Sequence, residues 1–205
     1  MIRIAIVGEI GSGKSYISRI FGFPVFNADK EVLKIYSKNK KIFLKLRNSL
    51  PNFIKSYPLD KKELLNAIIK NNKNLKIISR IVHPLVRKRM NQFLKKNNKK
   101  KAIVLDIPLY FENKIFKEKD FVIYIYAKKI EIIKRLKLRK GFNLKIYKQL
   151  KKFQLTNEQK RKRSNFFVKN NFNKKALKKE VNMLKFKIFK NERNNSRYRN
   201  HRSKR

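Results

Sequence analysis

The sequence predicts an α/β fold in which a parallel sheet carries a phosphate-binding loop. The first observation is the pattern G-x-x-x-x-G-K-[ST], which residues 8–15 match without a mismatch. The second is its context, because an apolar, β-branched run precedes the loop and a helix-spaced apolar pattern over residues 16–21 follows it. The third is a pair of later apolar runs of strand length, residues 102–109 and 121–127, typical of strands that are covered on both faces.

The loop has the residue types that phosphate binding requires. Three of the five glycines in the chain fall within it, and glycine lets successive backbone N–H groups turn toward phosphate oxygens. The helix that begins near Lys14 adds the positive end of its dipole. The Lys14 ammonium is expected to reach the β- and γ-phosphates, and the Ser15 hydroxyl to bind Mg²⁺. A glycine-rich turn that binds nothing would explain the glycines but not the Lys-Ser pair.

Composition points to a folded protein with one good core. The chain has 205 residues, of which 41% are hydrophobic, and it has no cysteine, which excludes disulfides and thiolate metal sites. No apolar run approaches the roughly 20 residues that span a bilayer, and the first strand starts at the N-terminus without a visible signal peptide. These features favour a cytoplasmic enzyme with no membrane partner.

The net charge of +44 has two explanations. A large positive field attracts polyanions, so the protein could be a nucleic-acid binder. The alternative is a mutational bias toward AT-rich codons, which would explain why lysine is abundant together with Asn, Ile, Phe and Tyr. The lysines are also spread along the whole chain, whereas a nucleic-acid-binding surface is a patch or a stripe. We favour the mutational bias as the explanation. We therefore expect weak, non-specific binding of nucleic acid and no specific nucleic-acid partner.

A short second strand at Val25-Phe26 is expected to end near Asp29. Ligands of open α/β sheets bind at the carboxyl ends of the strands, so Asp29 should lie on the same edge as the phosphate loop. It could be a base, or a carboxylate that orients Mg²⁺, for a substrate hydroxyl that attacks the γ-phosphate. Equally, it could be the N-cap of the next helix.

Residues 30–100 predict a series of helices. Prolines at 51 and 58 separate the segments, and Asp60 followed by Glu63 resembles a helix N-terminus. His83-Pro84 is expected to interrupt the next helix. A lone histidine is more often structural than catalytic, and both roles stay open for His83.

The third strand ends near Asp106, where a carboxylate could orient Mg²⁺ and its water. An apolar and aromatic turn then runs over residues 108–112. Past the fourth strand, Arg135 and Arg139 stand four residues apart and should share one helix face. They could clamp the transferring phosphates, or they could belong to a solvated basic face.

The last part of the chain predicts a helix over residues 150–163 that carries Gln154, a short strand over 165–170 and an amphipathic helix over 176–189. Residues 191–205 have no apolar periodicity and are expected to form a disordered basic tail.

Taken in order, these motifs resemble those of the dephospho-coenzyme A kinases, P-loop kinases of the nucleoside-monophosphate-kinase type. Residues 7–16 resemble the family's opening T-G-G-I-G-S-G-K-S-T, and Asn27-Ala28-Asp29 its D-A-D. The family's H-P matches His83-Pro84, and its P-L-L-F-E matches residues 108–112. Further matches are R-L-x-x-R at 135–139, Gln154, and the late A-D-x-V-I-x-N at residues 164–170. The resemblance covers residues 1 to about 190.

The resemblance implies a three-layer α/β/α P-loop core of residues 1–29, 75–128 and 155–190. It also implies a helical insertion (30–74) that binds the coenzyme A moiety, and a small helical lid (129–154). The implied reaction uses ATP and Mg²⁺ to phosphorylate the ribose 3′-hydroxyl of dephospho-coenzyme A, the last step of coenzyme A biosynthesis, in a monomer or weak oligomer.

The resemblance also assigns the site. Asp29, Lys14 and Arg139 are the implied catalytic residues, with Ser15 and Asp106 at the metal. The ATP-binding residues are Gly11, Ser12, Gly13, Lys14, Ser15, Tyr16, Arg135 and Arg139. The substrate-binding residues are Asp29, His83, Leu109, Tyr110 and Glu112.

Several residues depart from the family pattern. Glu9 places a carboxylate inside the phosphate loop, and it should weaken ATP binding unless its side chain points away. The other departures are Tyr16, Asn27, Ile132 and Ser164-Asn165. Two other functions stay open: another small-molecule P-loop kinase, or a basic nucleic-acid-binding protein with a vestigial P-loop.

Overall fold

Five parallel strands form one sheet in the computed structural model, which describes residues 1–139 and 141–202, with side chains described as far as residue 192 apart from 140. The strand order is β2-β3-β1-β4-β5. The strands are β1 Ile2–Gly8, β2 Val25–Asn27, β3 Ala102–Asp106, β4 Phe121–Tyr126 and β5 Phe166–Lys169.

Helices account for most of the remaining described residues. Their bounds are α1 Lys14–Ile20, α2 Ala28–Lys38, α3 Lys40–Ser49, α4 Lys61–Lys70, α5 Asn72–Lys96, α6 Lys129–Lys137, α7 Leu144–Lys152, α8 Asn157–Lys162 and α9 Lys174–Arg202. Among the described residues, none of these helices has both the length and the apolar composition that crossing a membrane requires.

The sheet is covered on both faces, which explains its continuous apolar strands. Ile4 and Ile6 of β1 pack on one side with residues of α1 and α9. Ala5 and Val7 pack on the other side with residues of α5 and of the segment that follows β3. Successive side chains of a strand point to opposite faces, so one strand contributes to both layers. The result is the predicted three-layer α/β/α arrangement.

Parallel pairing brings the loops of the central strands to one edge. In the register, Ile6 of β1 is opposite Asp106 of β3, and Asn27 of β2 is opposite the same Asp106. The segments that follow Gly8, Asn27 and Asp106 therefore all leave the sheet at its carboxyl edge, where ligands bind in open α/β folds.

A second hydrophobic cluster lies among the helices α2 to α5. Its fully buried members include Ile35, Leu46, Ile54 and Ala67, and it also takes in Ile78 from α5. Helix α5 continues from this cluster into the layer that covers the sheet, where Met90 is buried. Helix α5 therefore belongs both to this helical cluster and to the layer that covers the sheet. It crosses the boundary that was predicted between the insertion (30–74) and the core.

A third, smaller cluster joins α6 and α7 to the phosphate loop. Ile132 and Leu136 of α6 and Tyr147 of α7 are buried together, and Ile10 of the loop packs against them. A Cβ added at Gly11 would lie 2.9 Å from the Ile132 side chain, so α6 rests directly on the loop.

Helix α5 runs through His83-Pro84, so the predicted interruption was wrong. A proline inside a helix costs about 3 kcal/mol. Burying Ile78, Val82 and Met90 from the same helix contributes about 1.5–3 kcal/mol for each side chain, and the sum exceeds that cost.

Two further expectations are corrected. The helix predicted over 150–163 is two helices, because Thr156 and Gln159 form a capping box that starts α8, and Gln154 lies in the connection. The tail expected to be disordered from residue 191 instead continues α9 through Arg202, in a stretch that has no glycine or proline to end it, and residues 203–205 lie outside the described residues.

Gly8 allows a stability test of the loop. A Cβ at Gly8 would lie 2.5 Å from the backbone oxygen of Ile125, at a φ of +152°. We expect Gly8→Ala to destabilise the protein by about 2 kcal/mol or more, because neither backbone can yield cheaply. Gly141→Ala is the control. Gly141 also has a positive φ of +76°, but a Cβ added there would have no atom within 4 Å among the described residues beyond its chain neighbours. Urea unfolding monitored by circular dichroism measures both, and equal losses would show that φ, not the close approach, matters.

Candidate active site

The phosphate loop connects β1 to α1 and is held in shape by backbone hydrogen bonds. Gly13 caps α1 with φ +94°, and Ser12 N–H donates to the carbonyl oxygen of Glu9 at 3.1 Å. The Lys14 ammonium donates to the carbonyl oxygens of Gly8 at 3.1 Å and Glu9 at 2.8 Å. This fixes the lysine inside the loop, beside the N–H groups at the start of α1 that favour anions.

Burial changes the titration of Lys14, which is 8% exposed. Desolvation lowers the pKa of Lys14 to about 8, with smaller contributions from Asp106, which raises it, and Lys160, which lowers it. A lysine with this pKa is mostly charged at pH 7, and it gains stabilisation from any anion that enters the loop.

Two carboxylates lie at the carboxyl edge beside the loop. Asp106 is the last residue of β3, is 3% exposed, and accepts a hydrogen bond from the Asn27 side chain. Asp29 lies in the first turn of α2. Desolvation, and then the negative charge of Asp106, raises the pKa of Asp29, while Lys14 opposes the shift.

The N-cap alternative for Asp29 was wrong. Asn27 caps α2, and its side-chain oxygen accepts from the N–H of Lys30 at 2.8 Å. The Asp29 side chain is therefore free of a capping role, and it lines the cavity described below.

A cavity of about 900 Å³ opens at this edge of the sheet. Its lining includes many of the residues predicted from the sequence: Gly11, Gly13, Lys14, Ser15, Tyr16, Asp29, His83, Asp106, Leu109, Glu112, Arg135 and Arg139. A smaller apolar cavity of about 130 Å³ shares Asp29, His83 and Leu109 with it. The structure thus brings the phosphate loop, three carboxylates and the two predicted arginines to one space.

Two predicted residues do not line this cavity. One of them, Ser12, is fully buried within the loop.

The other is Tyr110, which is 1% exposed. Its hydroxyl donates a hydrogen bond to Asp120, which also pairs with Arg3 at 2.9 Å. Burial and the bond to Asp120 raise the pKa of Tyr110, so its hydroxyl stays protonated. Phe111 and Phe116 pack around the Tyr110 ring, so its side chain does not face the cavity.

Glu112 and Gln154 connect the segment after β3 to the start of α8. One Glu112 oxygen accepts from the N–H of Leu155 at 2.7 Å and lies 3.7 Å from the Lys160 ammonium. Lys160 also donates to Gln154 at 2.9 Å. The other Glu112 oxygen is buried, and it has no hydrogen-bond partner among the residues that the structure describes.

The two arginines reach the cavity from different elements. Arg135 belongs to α6, whereas Arg139 lies beyond the end of that helix, so the prediction of one shared helix face was wrong. The turn from Leu136 redirects the chain, with the Arg139 N–H donating to the Leu136 carbonyl oxygen at 3.0 Å. The Arg135 guanidinium stacks over the Phe172 ring at 4.3 Å.

His83 faces both cavities from the middle of α5. Burial, and then the positive charge of Arg87, lowers the pKa of His83, so the imidazole is neutral at pH 7. A neutral imidazole can donate or accept a hydrogen bond at the cavity wall.

Sequence reasoning missed Asn170 and Phe172. The Asn170 amide donates to the carbonyl oxygen of Ser12 at 2.8 Å, and its oxygen accepts from the N–H of Phe172 at 2.7 Å. A Cβ at Gly13 would lie 2.3 Å from the Asn170 amide nitrogen, which explains the glycine. Asn170 ended the predicted late strand motif, so its position was available as a signal although its role was not recognised.

The oxygen donors suit a magnesium ion. Among the described residues no group of three or more His, Asp or Glu could hold a metal alone. Ser15, Asp29 and Asp106 nevertheless offer a hydroxyl and two carboxylates to one cavity. Mg²⁺ commonly takes one or two carboxylates and completes its shell with water and substrate phosphates, so the residues fit.

Comparisons with known proteins agree with this geometry. A sequence profile of the dephospho-CoA kinases matches residues 2–176. The chain belongs to the dephospho-CoA kinase family. A dephospho-CoA kinase of Bartonella quintana is 31% identical over 170 residues, which cover 80% of this chain and 87% of that protein.

Two solved structures extend the comparison. The dephospho-CoA kinase from Campylobacter jejuni is 28% identical with a TM-score of 0.58, and the match covers 91% of this chain and 96% of that one. The protein TT1252 from Thermus thermophilus is 26% identical with a TM-score of 0.73, over 90% and 95% of the two chains. The P-loop kinase fold predicted from the sequence is confirmed.

The structure shows where the residues lie that depart from the family pattern. Ile132 is buried against Gly11, and Asn27 both caps α2 and binds Asp106. Asn165 accepts a hydrogen bond from the N–H of Val122 at 2.7 Å, which joins β5 to β4. Glu9 points away from the cavity and is bound by residues of α7 and α8. Because its side chain points away from the cavity, Glu9 is not expected to weaken ATP binding by repelling the phosphates.

The pKa of Lys14 yields a prediction for nucleotide binding. Lys14 loses its charge as pH rises through about 8, so ATP affinity should fall about tenfold between pH 7 and pH 9. Above pH 8, binding should also take up a proton. Isothermal titration calorimetry in two buffers of different ionisation enthalpy measures both effects.

Lys14→Arg is the matched control, because guanidinium stays charged over this range. Whatever its absolute affinity, this variant should show a flat pH profile between pH 7 and pH 9. An equal slope in both proteins would assign the titration to another group.

Proposed function

We propose that the protein transfers the γ-phosphoryl group of ATP to the ribose 3′-hydroxyl of dephospho-CoA, which gives ADP and CoA. The observation that carries the proposal is the convergence of Lys14, Ser15 and Asp29 on one cavity. The first two would bind the phosphates of the donor, and the third would offer a carboxylate to the hydroxyl of the acceptor.

In the proposed reaction the 3′-oxygen attacks the γ-phosphorus as the bond to the β,γ-bridging oxygen breaks. The hydroxyl proton passes to the carboxylate of Asp29, and ADP leaves with the bridging oxygen. The raised pKa of Asp29 makes it a better proton acceptor than an aspartate with the ordinary pKa, since a base is most effective near the working pH.

Lys14 and Arg139 are the proposed charge stabilisers. Phosphoryl transfer involves little covalent chemistry by the protein, so positioned positive charge accounts for most of the acceleration. Lys14, Arg135 and Arg139 all line the same cavity, which supports this assignment.

Ser15 and Asp106 would hold the magnesium ion, Asp106 directly or through a water molecule. When bound, the ion neutralises phosphate charge and orients the β- and γ-phosphates. Asp106 is suited to this role because Asn27 fixes one of its oxygens and the residue lines the cavity.

The acceptor side is proposed to use Asp29, His83, Leu109 and Glu112. The apolar cavity beside Asp29 is lined by Phe26, Val86 and Met90, among others, and its volume of about 130 Å³ suits a planar ring. The unpartnered Glu112 oxygen offers an acceptor to a substrate N–H or O–H. Residues of α5 such as Ser79 extend the wall toward the helical cluster, where the rest of the coenzyme A moiety would lie.

Three expectations about surroundings stay predictions: a cytoplasmic location, a monomeric or weakly oligomeric state, and only weak nucleic-acid binding. The last is tested by RNA binding at ~0.2 M salt, where attraction by charge alone should be largely lost. Tight RNA binding at that salt would favour the nucleic-acid-binding alternative.

The choice of acceptor is tested with a coupled ADP-release assay. We expect dephospho-CoA to stimulate ATP turnover by about two orders of magnitude or more over the hydrolysis seen without acceptor, as productive phosphoryl transfer requires. Nucleoside monophosphates and shikimate are the comparison acceptors. Stimulation by one of these but not by dephospho-CoA would show another small-molecule kinase.

The role of Asp29 is tested with Asp29→Asn. We expect turnover to fall by about two orders of magnitude or more while ATP affinity changes little, because the base acts in the transition state. The raised pKa means that folding disfavours the ionised form, so the neutral amide should unfold at the same or a higher temperature at pH 7, and this gain should vanish as pH falls.

Glu31→Gln is the control for a lost carboxylate on the same helix. Glu31 pairs with Lys34 and Arg89 outside the cavity, so turnover should stay within about threefold of the wild-type value. Near-normal turnover of Asp29→Asn would exclude Asp29 as the base.

A further inference from the structure

Glu9 is an acidic residue near the start of the phosphate loop, directly after β1, yet it is only 6% exposed. Its side chain leaves the loop and reaches residues that lie more than 130 positions later in the sequence. One carboxylate oxygen accepts from the Tyr147 hydroxyl and the Lys151 ammonium, each at 2.6 Å, and the other accepts from the Asn157 amide at 3.0 Å. One side chain therefore connects the loop with both α7 and α8.

The carboxylate is stable as an anion in this position. Burial by itself would raise the pKa of Glu9, but the hydrogen bonds from Lys151, Tyr147 and Asn157 outweigh it, and the pKa is lowered overall. Hydrogen bonds to a charged acceptor are about twice as strong as neutral ones. The charge is thus satisfied by α7 and α8, and it is directed away from the phosphate side.

Helix α7 forms part of the cavity wall. Tyr147 and Lys151, four residues apart, contact Glu9 from one face of α7, and Leu150 between them lines the cavity. Phe153 and Gln154, just beyond the helix, line it as well. The helix is nine residues long and buries only Ile146 and Tyr147, and it also packs against α4, so the bonds to Glu9 are its polar attachment to the phosphate loop.

Glu9 also contacts the residue that binds phosphate. Its backbone carbonyl oxygen accepts from the Lys14 ammonium at 2.8 Å. Glu9 therefore links Lys14 to α7, because its backbone oxygen binds Lys14 and its side chain binds Tyr147 and Lys151.

We propose that Glu9 is a positioning residue that fastens α7 to the phosphate loop and so holds this wall of the cavity closed for nucleotide binding. The inference rests on the proposed kinase function of the cavity but not on the identity of the acceptor. Without this attachment α7 must be ordered when ATP binds, and the ordering lowers the apparent affinity.

Removal of the charge has opposite effects under two explanations. If Glu9 positions α7, its loss weakens ATP binding. If it acts as a negative charge near the phosphates, its loss removes repulsion and tightens binding. The sign of the change decides between them.

The test measures the ATP dissociation constant of the full chain by isothermal titration calorimetry, without acceptor. For Glu9→Gln and for Tyr147→Phe we expect binding weakened about 3- to 10-fold, with kcat within about twofold, because α7 closes the site equally in the ground and transition states. Hydrogen exchange should rise across residues 144–157 and stay unchanged in the strands.

A double-mutant cycle of Glu9→Gln with Lys151→Met isolates the contact. The two losses should be clearly less than additive, since each removes the same attachment. Lys148→Met is the control for a lost positive charge, because Lys148 is an exposed lysine of α7 outside the Glu9 cluster, and it should affect ATP binding by less than about twofold.

Unchanged or tighter ATP binding by Glu9→Gln, or unchanged exchange in α7, would overturn the proposal. If Glu9→Gln does not fold, Tyr147→Phe gives the same answer, since it keeps the ion pair and removes one bond. An acceptor other than dephospho-CoA would leave these ATP measurements intact, so failure of the proposed function and failure of this inference are distinguishable.

Discussion

The site depends on the parallel pairing of β1 between β3 and β4. Parallel neighbours place their carboxyl ends at one edge, so the ends of β1 and β3 lie side by side. β1 contributes the phosphate loop and β3 contributes Asp106. Asp29 follows β2, which pairs with β3 in the same direction. A strand in the opposite orientation would send its loop to the far edge, where it could not reach the phosphates.

Burial at that edge brings like and unlike charges together. Desolvation and the negative charge of Asp106 raise the pKa of Asp29, and desolvation lowers the pKa of Lys14. Folding therefore disfavours the ionised form of each of these two residues. The apolar layers on both faces of the sheet supply the stability against which this cost is set. An anion bound at the loop would supply a counter-charge to Lys14 but not to the two carboxylates.

Much of this could be predicted from local sequence. The loop, the strands and Asp29 were recognisable because each needs only a short pattern and the order of elements in an open α/β sheet. Asp29 as an N-cap and the interruption at Pro84 were wrong, since a neighbouring Asn27 took the cap and packing along α5 outweighed the proline. The direction of the Glu9 side chain depends on Tyr147, Lys151 and Asn157, and no local pattern connects residues so far apart. Tyr110 and Asp120 are only ten residues apart, but no local pattern showed that the tyrosine hydroxyl would be buried against this carboxylate.

Helix α5 has a mechanical consequence. It is one continuous rod of 25 residues whose first half belongs to the helical cluster and whose second half covers the sheet. The cluster cannot swing relative to the sheet unless this rod bends. Bending is easiest where a backbone hydrogen bond is already missing, and proline removes one at Pro84. His83 is the adjacent residue and lines the cavity, so any flexing of α5 would move this part of the cavity wall.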